Sequence, residues 1–169
     1  KIEDPGAGDY ARTMGAMHGD TSYFFQLVNR NKKSLVLDLK DAADKAVLLG
    51  LVDTADILVE GFRPGVMAKL GLDYATLSAR NPRLVYASIS GYGQTGPYAQ
   101  RAGHDINYLG YAGVLDQMGV AGGAPAMSNL QIADLLGGTL TSLVGVLAAV
   151  IDASANGRGR QVALAMTDA

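Results

Sequence analysis

The feature that most constrains the fold of this chain is a rhythm. Between Ser34 and Ser90, extended apolar runs alternate with helical stretches about every dozen residues. Ser34-Leu35-Val36-Leu37-Asp38-Leu39 is the first extended run, and Asp41 caps a helical stretch that continues to about Val52. Asp56-Ile57-Leu58-Val59-Glu60 is the second, followed by a tight Gly61-Phe62-Arg63-Pro64-Gly65 loop and a short helix ending near Gly71. Asp73 to Arg80 is helical until Asn81-Pro82 stops it, and Leu84 to Ser90 is the third run. Strands joined through helices favour right-handed crossovers and a parallel sheet, so the fold class expected is α/β, a doubly wound (Rossmann-like) parallel sheet.

The flanks extend the pattern. Lys1-Ile2-Glu3-Asp4-Pro5 reads as the end of a strand running into a turn, and residues 6–32 as glycine-rich and irregular. After Ser90 the expectation is a loop, a helix over 104–115, a second loop over 119–129, a long apolar helix from Ile132 to Ala155, and a last strand over 161–165. Gln161 to Ala169 looks like a strand handing over to a helix, so the chain reads as a fragment.

Composition narrows the chemistry. A net charge of −2 gives no electrostatic footprint for nucleic acid. Without cysteine there is no thiolate nucleophile, disulfide or cysteine zinc site, and no other convincing metal cluster is present. The uncharged run from Leu135 to Ile151 is shorter than the ~20 residues a membrane span needs and is bracketed by Asp134 and Asp152. It is expected to be a core helix buried on most sides.

Gly91, Gly93 and Gly96 match the spacing of a dinucleotide fingerprint, but Pro97 and Gly103 spoil the helix that fingerprint requires. The loop can still bring backbone N–H groups close to a ligand. Arg30, Lys32, Lys33 and Arg63 are either solvated surface charges or a phosphate site, and Arg63 lies where open α/β sheets bind ligands. His104, in Gly103-His104-Asp105-Ile106-Asn107-Tyr108, is a helix-opening residue or a proton carrier near neutral pH. Asp134 sits among apolar neighbours near a helix start, as a cap or as a carboxyl whose proton affinity burial raises. Asp168 is a third candidate carboxylate.

Together these segments resemble the family III CoA-transferase superfamily. The marks are Lys1 to Pro5, Asn29 to Lys40, Ala55 to Gly71, Asn81 to Tyr86, Gly91 to Pro97, Gly157 to Gln161 and Met166 to Ala169. Within it, Gly103 to Tyr108 resembles the α-methylacyl-CoA racemase branch. That resemblance implies inversion of C2 of a 2-methylacyl-CoA thioester by 1,1-proton transfer through an enolate, with His104 on the S face and Asp134 on the R face. Backbone N–H groups at the start of the 104–115 helix are the expected holders of the enolate oxygen.

The alternative it implies is CoA transfer between carboxylic acids through an aspartyl-CoA intermediate on Asp168. It further implies CoA contacts at Leu37, Lys40, Gly61, Phe62, Arg63, Lys69, Gly103, Asp105, Ile106, Asn107 and Tyr108, with CoA as part of the substrate and no separate cofactor or metal. Asp4 and Lys69 depart from the family pattern, standing where arginine is common. Family members are interlocked homodimers whose smaller domain would follow Ala169, with no nucleic-acid or membrane partner. The expected compartment is the cytoplasm of a bacterium, or the mitochondria or peroxisomes of a eukaryote.

Overall fold

The computed structural model describes all 169 residues. They form two compact units, Lys1–Leu51 and Val52–Ala169.

In the first unit, β1 (Ile2–Glu3) pairs in parallel with a later strand, with Ile2 opposite Leu35 and Glu3 opposite Val36. The Glu3 carboxylate is buried in a complete set of donors. Arg12 reaches it with two N–H groups at 2.8 and 2.9 Å, the Ser34 hydroxyl at 2.6 Å and the Asp9 N–H at 3.2 Å. A buried carboxylate is tolerated only when its lone pairs are met in this way.

Residues 6–32 are more ordered than expected. Met17–His18 (β2) and Thr21–Ser22 (β3) make an antiparallel hairpin, and α1 spans Tyr23–Asn29. Aromatic and β-branched residues favour strands, which hid this helix in the sequence. Ser22 sets it, because its hydroxyl accepts the Phe25 N–H at 3.0 Å while donating to the Met14 carbonyl at 2.6 Å. After β4 (Leu35–Val36) comes α2 (Ala42–Val52), with the Asp41 carboxylate accepting the N–H groups of Ala43 and Asp44 as its cap.

The second unit is a parallel three-stranded sheet. Its strands are β5 (Ile57–Glu60), β6 (Val85–Ser90) and β7 (Gln161–Ala165), with β6 in the middle. Ile57 pairs with Val85 on one side of it and Tyr86 with Gln161 on the other. Helices α3 (Val66–Leu70) and α4 (Tyr74–Arg80) connect β5 to β6, and the Asp73 carboxylate caps α4 on the Thr76 N–H.

Side chains along β6 alternate between two covered faces, as a parallel strand requires. Val85 and Ala87 meet Val146, Ala149 and Ala153. Tyr86 turns the other way, donating its hydroxyl to the Leu72 carbonyl at 3.1 Å and meeting Tyr74 edge-on. Complete burial of a Val or Leu side chain is worth about 1.5–3 kcal/mol, so Leu72, Leu77, Leu84 and Val85 anchor this unit.

Two helices differ from expectation. The 104–115 helix is shorter: α5 covers Asp105–Tyr111, and a separate 3₁₀ turn covers Leu115–Gln117. The long helix is wound in two ways, as a π-helix over Ile132–Leu140 and an α-helix, α6, over Thr141–Asn156. Nor is it buried on most sides. The stripe of Val146, Ala149 and Ala153 lies against the sheet, while Val144 and Ile151 are 62% and 71% exposed. A helix laid on one sheet face buries one stripe only. The 25 residues from Ile132 to Asn156 are long and apolar enough to cross a membrane by composition, but packing that stripe on a sheet is what a sheet-covering helix does.

Candidate active site

The glycine loop behind β6 leads to α5 without forming a helix of its own, as Pro97 and Gly103 require. What holds it is Tyr108. This side chain is buried, donates its hydroxyl to the Gly103 carbonyl at 2.5 Å and packs edge-on to Tyr92. It occupies the space that side chains at two glycines would need. A Cβ on Gly91 would lie 2.5 Å from its ring, and one on Gly103 2.6 Å. Tyr98, Tyr111 and Arg101 extend the cluster outward, with the Arg101 guanidinium 4.3 Å over the Tyr98 ring.

His104 precedes α5 and is exposed. Its backbone N–H donates to the Asn107 side chain at 3.0 Å, and its carbonyl accepts from the N–H groups of Asn107 and Tyr108. These bonds fix the backbone from which the imidazole projects. Asp105 and Ile106 are the first two residues of α5, where backbone N–H groups have no partner within the helix.

Asp134, in the first turn of the π-helix, is partly buried. Its N–H donates to the Asp105 carboxylate at 3.0 Å, tying the π-helix to the first turn of α5. Burial pushes its proton affinity above the ordinary carboxylate range; the Asp105 charge adds to that, and His104 opposes it. His104 directly precedes Asp105, so the two candidate side chains start from helix ends that the Asp105–Asp134 bond joins. Burial likewise raises the Tyr108 phenol, helped by Asp134. An apolar cavity of about 210 Å³ lies alongside, between Tyr108, Leu109, Val114, Ile132, Ala133 and Met166.

Asp168 occupies the turn after β7 and is exposed. That turn is stitched to the glycine loop. The Met166 N–H donates to the Ser90 carbonyl, and Thr167 donates both its N–H (3.0 Å) and its hydroxyl (2.7 Å) to the Gly91 carbonyl. Met166 also packs on Gly138 of the π-helix. The start of α5, the start of the π-helix and the Asp168 turn thus gather at the carboxyl end of the sheet, where open α/β folds bind ligands.

Of the expected CoA contacts, Gly61, Phe62 and Arg63 form an exposed loop at the carboxyl end of β5, and Lys69 is exposed in the last turn of α3. Gln100 donates to the Pro64 carbonyl at 3.0 Å, joining that loop to the one behind β6. Leu37 and Lys40 lie in the first unit, Leu37 buried and Lys40 exposed. Arg30, Lys32 and Lys33 are exposed there too. No group of three or more His, Asp or Glu side chains is spaced to hold a metal ion. The Asp105–Asp134 bond and the Thr167 latch had no signal in the sequence. The tyrosine cluster did, in the recurrence of Tyr92, Tyr98, Tyr108 and Tyr111 around the glycines.

The model of CoA-transferase family III matches residues 1–169. Among relatives, an acetyl-CoA:oxalate CoA-transferase of Acetobacter aceti is 43% identical over 169 residues, covering 99% of this chain and 43% of that protein. A human alpha-methylacyl-CoA racemase is 41% identical over 152 residues, covering 90% of this chain and 40% of that one. The crystal structure of a CAIB/BAIF family protein from Brucella suis superposes with a TM-score of 0.91 at 35% identity, over 99% of this chain and 45% of the other. The chain therefore spans less than half the length of these relatives. Taken with the parallel sheet and the glycine loop at its carboxyl end, the match over every residue shows that this chain belongs to CoA-transferase family III.

Proposed function

We propose that the protein inverts C2 of a 2-methylacyl-CoA thioester, with His104 and Asp134 as the two proton carriers. The observation that carries this is their placement at two helix starts joined by the Asp105–Asp134 bond. One residue removes the C2 proton, the electron pair moves into the thioester carbonyl to form an enolate, and the other residue protonates C2 from the opposite face. Two groups are needed because a single base returning its own proton would retain configuration. By the family resemblance, His104 serves the S face and Asp134 the R face.

A carboxyl whose proton affinity is raised is better matched to a weak carbon acid than an ordinary aspartate. Proton transfer of this kind supplies about 10²–10⁴-fold, so the enolate oxygen also needs donors, worth roughly 3–4 kcal/mol each. The N–H groups of Asp105 and Ile106 are assigned that role. CoA enters as part of the substrate, its phosphates toward Arg63 and Lys69, with no separate cofactor. The greater length of the relatives and the uncovered apolar side of α6 support a larger assembly, which we take to be a homodimer. The test is deuterium uptake at C2 of 2-methylacyl-CoA in D₂O by the full-length protein. Uptake by the parent and its loss in His104→Ala are expected; undiminished uptake in that variant removes His104 from the mechanism.

A second reading is supported by the latched turn that presents Asp168 beside the glycine loop, and by CoA-transferases among the relatives. There the Asp168 carboxylate attacks a thioester carbonyl, expels CoA thiolate and forms an anhydride. The thiolate then attacks the aspartyl carbonyl, giving an aspartyl thioester and releasing the donor carboxylate. The acceptor carboxylate displaces CoA thiolate through a second anhydride, which the thiolate opens at the acceptor carbonyl to give the new thioester and free Asp168. Hydroxylamine trapping of a covalent intermediate that is lost in Asp168→Asn is its test. No trapped species across a panel of donor thioesters and acids would dismiss it.

A further inference from the structure

We propose that the π-helical winding of Ile132–Leu140 is a device that positions Asp134, with Thr139 as its latch. This rests on the proton-transfer role given to Asp134 above.

The segment is held at two points that do not belong to it. At its start, the Asp134 N–H is pinned to the Asp105 carboxylate at 3.0 Å. One turn later, Gly137 and Gly138 are pressed on the turn after β7. A Cβ on Gly137 would come within 3.3 Å of the Met166 carbonyl oxygen, and one on Gly138 within 3.0 Å of the Met166 side chain. An α-helix would close the Asp134 carbonyl on Gly138, four residues on. Here the wider winding reaches Thr139, five on, and so fits the backbone between its two anchors.

Hydroxyls secure the wide turns. Thr139 Oγ1 donates to the Asp134 carbonyl at 3.1 Å, and Thr141 Oγ1 to the Leu136 carbonyl at 3.3 Å, both spanning five residues. Asp134 is thus held at its N–H by Asp105 and at its carbonyl by Thr139, which leaves the carboxyl as its one free group. Extended π winding is rare and concentrates at functional sites, because competing α-helical bonds must be outweighed. The titratable groups that act on Asp134 are Asp105 and Tyr108 of α5 and His104 just ahead of it, and the β7 turn packed on Gly137 and Gly138 bears Asp168.

The experiment compares Thr139→Val, which keeps the shape and removes the hydroxyl, with Thr139→Ser, which keeps the hydroxyl, in the full-length protein. With 2-methylacyl-CoA in D₂O, Thr139→Val is expected to lower kcat for C2 exchange about tenfold, the rate equivalent of one lost hydrogen bond, with KM unchanged. Its pH–rate profile shifts on the limb set by Asp134, and Thr139→Ser restores both. Parental kcat in Thr139→Val, or equal loss in Thr139→Ser, overturns the inference. If the parent exchanges no C2 proton, the proton-transfer role itself has failed. The latch is then judged by ¹³C NMR titration of the Asp134 carboxyl. A midpoint displaced in Thr139→Val and parental in Thr139→Ser supports it, and three identical midpoints refute it.

Discussion

Replacing Gly91 with alanine tests whether Tyr108 is the wedge that holds the glycine loop. The new Cβ would sit 2.5 Å from Cε1 and 2.7 Å from both Cζ and the hydroxyl oxygen. Ordinary carbon–carbon contact is about 3.5–4.0 Å, so the ring must retreat by roughly 1 Å. It has little room, being 5% exposed and packed on Tyr92. Overpacking of this kind costs about 1–3 kcal/mol. Displacing the hydroxyl from the Gly103 carbonyl adds about 0.5–1.5 kcal/mol. The expected destabilisation is therefore roughly 2–4 kcal/mol, read as a lowered urea midpoint at unchanged m. Tyr108→Leu removes the obstruction at the cost of a cavity, so in the double variant Gly91→Ala should cost much less than it does alone. A coupling of about 1–2 kcal/mol is expected from the four-member cycle. Strict additivity, or a Gly91→Ala protein as stable as the parent, would refute the wedge.

Other outcomes are open to measurement. Arg12, followed by Ser34, holds the Glu3 carboxylate well below the usual range, so its contribution to stability is complete above the unfolded value of 4.5 and is lost as pH falls. Thermal melts from pH 6 down to pH 3 should show that loss in the parent and a flatter profile in Glu3→Gln, which is also less stable at neutral pH by about 1–3 kcal/mol. Asp105→Asn keeps an acceptor for the Asp134 N–H but removes a charge that raises the proton affinity of Asp134. Its acid limb in a C2-exchange pH profile should move to lower pH, and an unmoved limb would show that Asp105 does not tune Asp134. Ala149→Leu overfills the contact between α6 and β6 and should cost about 1–3 kcal/mol in urea denaturation, whereas a near-neutral result would mean α6 is not seated on Val85 and Ala87.

How much of this could be read in advance depended on whether the cause was local. Helix α4 was legible because its cap and its stop are both written in sequence, Asp73 on the Thr76 N–H and Asn81-Pro82 after Arg80. Strand β6 was legible because burial on both faces makes it a nearly continuous apolar run. Helix α1 was hidden by residues that favour strands, although Ser22 ahead of them was a usable cap signal. The π winding was hidden for a different reason. It comes from anchors on α5 and on the β7 turn, and no periodicity within Ile132–Leu140 reports a partner twenty-nine residues earlier or later. His104 and Asp134 could be picked out as residue types; the bond from the Asp134 N–H to the carboxylate of Asp105, the neighbour of His104, could not.

The glycine loop is shared by the residues of both proposed chemistries. Its Gly91 carbonyl takes both donors of Thr167 and so fixes the turn that presents Asp168. Its bare Gly91 and Gly103 positions admit the Tyr108 ring, which fixes the start of α5 and therefore His104. The Asp168 turn and the start of α5, which bear the two residues proposed above as nucleophile and proton carrier, are thus held by different groups of the same few residues. Thr167 and Tyr108 engage different groups of the loop, so the Asp168 turn and the start of α5 do not compete for it. Changing what stands at position 104 would alter the chemistry without disturbing the latch on Gly91. Replacing His104 with a residue that cannot carry a proton should therefore abolish C2 exchange and leave any transfer through Asp168 at its parental rate. Parallel loss of both activities in His104→Gln would show that the two sides of the loop are not independent.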